Sequence, residues 1–173
     1  RRVSIVGILA GRLRGNIEFP RGLPSAKLSR WLDDEALHPI DSPLRKVTAD
    51  CRHRVNTVLR EIEQRGSCPR TVSWGIAHTQ SMRFMSRIEE CAPCLTSSQA
   101  SCFWISSRGR VASIAERERL QGIPSGRIHN VLSDRQYGTL IGNAMSVNVL
   151  ERLLCRLLPA AGPCDRAHLH DRW

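Results

Sequence analysis

The sequence predicts an α/β protein, and three observations carry the prediction. Val3 to Leu9 form a nearly continuous apolar run, the pattern of a strand buried on both faces of a sheet. Residues 67–112 are rich in Ser, Cys, β-branched and aromatic side chains without helical period, as in short strands joined by loops. The last third carries three helical patterns, two of them opened by a capping box.

In chain order, the Gly/Arg turn from Gly11 to Gly15 precedes Ile17-Glu18-Phe19, predicted as a short strand stopped by Pro20. The stretch Pro20 to Pro43 holds four prolines and reads as loop with one short helix around Leu28 to Leu32. From Thr48 to Arg65, Val55, Val58, Leu59 and Ile62 fall at helical spacing, and Gly66 ends the helix. The segment Cys102 to Ile105 is predicted as strand.

Ser113-Ile-Ala-Glu116 is a capping box, whose Ser and Glu side chains satisfy backbone donors left open at a helix start. Gly122 and Pro124 close that helix. Ser133-Asp-Arg-Gln136 opens a second, running to Gly142. A third is predicted after Asn143, with Val147, Leu150, Leu153, Leu154, Leu157 and Leu158 as a wide apolar stripe and Pro159 as its stop. The polar tail Gly162 to Trp173 is predicted to be disordered.

At 173 residues the chain suits one domain, or one domain plus pieces of another. Only 5% of residues are aromatic, so the core rests on Leu, Ile and Val. The net charge is +10 and the basic residues are overwhelmingly Arg. Arg presents a planar fork that fits phosphates and guanine edges, which favours a nucleic-acid partner, while codon bias and a solvated surface would give the same excess.

The seven cysteines are odd in number and without framework spacing, which predicts free thiols in a reducing intracellular compartment. That compartment would be the nucleus of a eukaryote or the cytoplasm of a bacterium. Cys91-Ala-Pro-Cys94 is a lone CxxC with no second pair at zinc-finger distance, so no metal is expected. No apolar run reaches membrane-spanning length, so no membrane partner is expected either. The chain begins with Arg1 and not Met, from which an upstream portion is expected.

Four strings occur in an informative order. Arg2-Val-Ser-Ile-Val-Gly-Ile8, with Phe19-Pro20 downstream, resembles a block of DNA cytosine-5 methyltransferases in which an arginine opens a sheet strand. Ala92-Pro-Cys-Leu-Thr-Ser97 is similar to that family's Thr-Leu string in the recognition domain, with Cys94 replacing the usual Thr. Ala115-Glu-Arg-Glu-Arg-Leu-Gln-Gly-Ile-Pro124 resembles the block that ends the recognition region, with Ile114-Ala115 where a Pro-Arg pair is common. Gln136 followed by Ile141-Gly-Asn-Ala-Met-Ser-Val-Asn-Val149 resembles the final block.

The resemblance spans residues 1–158 and implies the C-terminal portion of a Rossmann-like, S-adenosylmethionine-dependent methyltransferase sheet with an inserted, mixed β-rich target-recognition domain. The implied divisions are residues 1–16 as the last strand region of the catalytic domain and 17–126 as the recognition domain. Residues 127–160 would be helices returning to the catalytic domain, and 161–173 a tail. An RNA-directed member acting on tRNA cytosine, or a non-catalytic DNA-binding remnant, are the alternatives.

In that family a cysteine thiolate attacks C6 of a cytosine flipped out of duplex DNA, and C5 then takes a methyl from S-adenosylmethionine. The nucleophile's Pro-Cys turn, a Glu-Asn-Val block and a Gly-rich cofactor loop lie upstream of the Arg2 strand. Pro93-Cys94 and Pro163-Cys164 lack that context, so the chain alone is expected to be inactive and to need the missing upstream catalytic domain as partner.

The resemblance implies that Arg2 contacts the flipped cytosine or its phosphate, and that Asn143, Ala144 and Met145 line the cofactor pocket. It places reading of double-stranded DNA on Arg83 and Arg87, with Ser97, Ser98 and Gln99 in a second recognition loop. Arg108 and Arg110 would meet phosphates or solvent, and Glu116 would organise the recognition domain through its capping box.

Overall fold

A computed structural model describes all residues except 1–5, 9, 25, 38, 78–84, 98–102, 125, 166–168, 172 and 173. The chain divides into two compact units, one formed by Ser25–Ala144 and the other by Arg1–Pro24 with Met145–Trp173.

In the larger unit, Thr48 accepts a hydrogen bond from the Cys51 amide and starts α1 (Ala49–Gln64). One face of α1 buries Cys51, Val55, Val58 and Ile62, so three of the four predicted positions are buried and the fourth, Leu59, is half-buried against them. Each large aliphatic buried there contributes about 1.5–3 kcal/mol. The strands β1 (Trp74–Ala77), β2 (Ser86–Glu89), β3 (Phe103–Ile105) and β4 (Arg110–Val111) follow, making an antiparallel sheet in the order β2-β1-β3-β4. The predicted strand at Cys102–Ile105 is present as β3 over its described residues.

Alternation along β3 decides where the layers go. Trp104 points to the α1 side, in a cluster with Val55, Val58, Ile62 and Ile76. Phe103 and Ile105 point the other way, to Leu28, Leu95, Ala112, Tyr137 and Ile141. The second cluster draws on α3 (Asp134–Asn143), with Ile114 and Leu120 of α2 (Ile114–Leu120) packed against it. Both predicted capping boxes are formed, at Ser113/Glu116 and at Ser133/Gln136. The unit is thus mixed α/β, with helices on both faces of a small antiparallel sheet.

In the smaller unit, α4 (Val147–Ala161) runs through Pro159, contrary to the expectation that this proline stops it. Proline removes the helical bond that residue 159 would give to the Cys155 carbonyl, yet the helix continues two residues beyond it. The helix ends where Gly162 adopts φ 81° and donates to the carbonyls of Leu158 and Pro159. Ala160 is the only α4 residue that is buried, and Leu154 of the predicted stripe is 43% exposed.

The expected strand at Ile17–Phe19 is absent: no backbone partner pairs with it among the described residues, and Phe19 is 64% exposed. Of the Val3–Leu9 run only residues 6–8 are described, and they have no regular structure. Cys68, Cys91, Cys94, Cys155 and Cys164 are free thiols as expected, whereas Cys51 is disulfide-bonded, which corrects the expectation for that residue. No described helix is long and apolar enough to cross a membrane, and no described group of three or more His, Cys, Asp or Glu could hold a metal ion.

Candidate functional site

Glu116 sits at the third position of α2, and its carboxylate is a four-way acceptor. Arg110 reaches it from β4 with both ends of its guanidinium, at 2.8 and 2.7 Å. The Ser113 amide donates to the same carboxylate at 2.7 Å and the Asp33 amide at 2.8 Å. Both charged side chains are 0% exposed. Asp33 in turn accepts from the Ser113 hydroxyl at 2.8 Å and pairs with Arg119, whose Nε donates to the Trp31 carbonyl. The Pro-rich segment around Trp31–Asp33 is thereby fastened to α2.

Arg110 is therefore not a phosphate or solvent contact. It is a structural ion, held in place by the carboxylate six residues later. Arg108 is partly exposed and lies 3.6 Å from Glu35.

One turn after Glu116, buried Gln121 donates to the Ile141 carbonyl at 2.8 Å and to the Ala144 carbonyl at 3.4 Å. The end of α3 is thus tied to the end of α2. A Cβ placed on Gly142 would lie 2.4 Å from the Thr96 carbonyl carbon and 2.6 Å from the Ser97 amide nitrogen. Only a residue without a side chain lets this loop touch the helix. Three separate strings, at Ala92–Ser97, Ala115–Pro124 and Ile141–Ala144, converge on this spot.

Of the residues singled out in the sequence, Arg2, Arg83, Ser98 and Gln99 lie outside the described ones. Arg87 lies on β2 and pairs at 2.7 Å with Glu61 of α1. Ser97 is half-buried beside Gly142. Asn143 is exposed at the last position of α3, where its carboxamide has no hydrogen bond within the described residues. It does not open the last helix as expected: Ala144 is extended at φ −65°, ψ 149°, and Ser146 is the N-cap of α4. Ala144 is half-buried, and Met145, in the smaller unit, is 50% exposed. That unit has a cavity of about 250 Å³ lined by Arg14, Asn16, Glu18, Cys155 and Arg156, among others, and none of the singled-out residues borders it.

The sequence reading missed Asp33, Gln121 and the pair of Tyr137 with Glu118, joined by a 2.6 Å hydrogen bond. Burial first, then the neighbouring Glu118, pushes the Tyr137 hydroxyl up to about 12. The unfolded chain ionises Tyr near pH 10. The neutral phenol is favoured by folding, so this stabilisation is complete below about pH 10 and is lost as pH rises towards about 12. Tyr137→Phe should be less stable than the parent at pH 8, because Glu118 loses its donor. The gap between the two should narrow from pH 10 to 12 in denaturant titrations; a constant gap would contradict the assignment.

The chain matches no protein-family model, no curated protein and no solved structure.

Proposed function

We propose that the chain is the DNA-reading and cofactor-contacting portion of a DNA cytosine-5 methyltransferase, completed by an upstream catalytic domain that carries the nucleophile. The observation supporting this reading most strongly is the convergence of three of the four resembling strings, which are far apart in sequence. Gln121 and Gly142 hold them together. Arginine excess in a chain of net charge +10 supplies the attraction to duplex DNA.

In this reading S-adenosylmethionine supplies the methyl group, and Asn143, Ala144 and Met145 would help to hold it. The chemistry of Asn143 fits: its carboxamide is exposed and can both donate and accept. Arg2, Arg83, Arg87, Ser97, Ser98 and Gln99 would face the DNA. For Arg87 this requires exchanging the Glu61 carboxylate for a phosphate or guanine edge.

The test has two arms. The purified chain should bind duplex DNA with an affinity that falls steeply between low and physiological salt. It should transfer labelled methyl groups to cytosine only when combined with the upstream domain. A flat salt titration, or methylation of tRNA in preference to DNA by the combined protein, would sink the reading.

A further inference from the structure

The buried side of α1 is explained by packing, and its opposite side is not. At about 3.6 residues per turn, Arg52, His53, Asn56, Arg60, Glu63 and Gln64 share the face turned away from the core. All six are exposed. The other acids of the helix stand on its flank and are engaged there, Asp50 with Arg54 at 2.9 Å and Glu61 with Arg87 at 2.7 Å. Some arginines elsewhere are matched internally, as with Arg110–Glu116 and Arg119–Asp33. Arg52 and Arg60 have no carboxylate partner within the described residues, and Glu63 is the one acid on the face.

We propose that this outer face of α1 is a second contact surface for duplex DNA, distinct from the recognition loops, with Arg52 and Arg60 on phosphates. Charge complementarity identifies the partner. Arg52 and Arg60 are separated by about 12 Å along the helix, at about 1.5 Å per residue. That length covers three to four phosphates of one strand, which follow at about 3.4 Å of duplex axis. Arg52 is already oriented, donating to the Arg45 carbonyl at 3.0 Å from one end of its fork. Asn56 and Gln64, between and beyond the arginines, are the amides that pair with adenine edges or bond phosphates. The inference rests on the DNA-binding reading above and adds a surface that the four strings do not touch.

The experiment is a salt titration of the full chain on a 24-base-pair duplex of arbitrary sequence, comparing the parent with Arg52→Gln/Arg60→Gln, Asn56→Lys and Arg87→Gln. Each phosphate contact removed lowers the log–log salt slope by about one. The double variant should lose about two from the slope and bind at least tenfold more weakly at low salt, with an unchanged thermal melt. Asn56→Lys, which adds a cation to the same face, should steepen the slope. If the parent and Arg87→Gln differ in binding while both α1 variants match the parent, the α1 surface is wrong and the functional reading survives. If the parent does not bind, both fall; tighter binding to duplex RNA also overturns the proposal.

Discussion

Glu116→Gln should abolish cooperative folding of the larger unit, or lower its stability by about 3–5 kcal/mol, the cost of breaking one side of a buried ion pair. The replacement keeps the shape of the side chain, so the loss would come from charge and hydrogen bonding alone. Its single oxygen cannot serve four donors, and its new NH2 group would face Arg110 whichever oxygen it replaces, together with the Asp33 or the Ser113 amide. Arg110 would remain 0% exposed with no counter-charge. A small domain is stable by only about 5–15 kcal/mol, so this one contact is a large share of the margin. Glu63→Gln, on the exposed face of α1, serves as control and should change stability by less than about 0.5 kcal/mol. Chemical denaturation monitored by circular dichroism reads both. A Glu116→Gln protein that melts like the parent would mean that Arg110 finds water or another acceptor.

The sequence disclosed the start of the α2 site and hid its partners, for a physical reason. A capping box is local: Ser113 and Glu116 meet because they are three residues apart at a helix start. Arg110 and Asp33 approach Glu116 through strand pairing and through a Pro-rich segment 83 residues away in the chain, which no local pattern encodes. Arg110 was misread for that reason, since an arginine near a loop looks the same whether it faces phosphate or carboxylate. Helix α1 was legible because its apolar spacing matches a period of about 3.6, and β3 because Phe103-Trp-Ile105 is a short aromatic and β-branched run without helical period. Ile17–Phe19 also had strand character, but a strand depends on a neighbour as much as on its own residues. Pro159 was overweighted as a stop: proline removes one helical bond and crowds the preceding turn, and α4 continues two residues past it all the same.

Within the proposed site, the Gly142–Thr96 contact was invisible as well, although both strings had been noted. In the sequence Gly142 marked only the end of the helix opened at Ser133, within the final resembling string. It is instead a helical residue whose missing side chain admits the backbone of another segment. Its role is close approach, and the neighbouring Asn143 is the residue left facing outward.

Gly142→Ala is expected to have the second large effect, and it separates the packing role of this string from its proposed ligand role. In a free helix the change would help slightly, since alanine is favoured over glycine by up to about 1 kcal/mol. Here the new methyl would lie 2.4 Å from both the carbon and the oxygen of the Thr96 carbonyl. Those are backbone atoms, so no flexible side-chain end can swing aside, and the loop or the helix must shift. Overpacking of this kind costs about 1–3 kcal/mol and more where backbone must move, so the steric term wins. The shift would also pull the Ile141 and Ala144 carbonyls from Gln121, which holds them at 2.8 and 3.4 Å. Asn143→Ala, one residue on and exposed, should leave the melting temperature within about a degree or two and, under the proposed function, weaken S-adenosylmethionine binding once the chain is joined to the proposed upstream domain. Paired thermal melts of the two variants, with cofactor titrations on the completed protein, distinguish the roles. Equal stability of Gly142→Ala and the parent would remove the contact between the Thr96 loop and α3, and with it the convergence on which the functional reading rests.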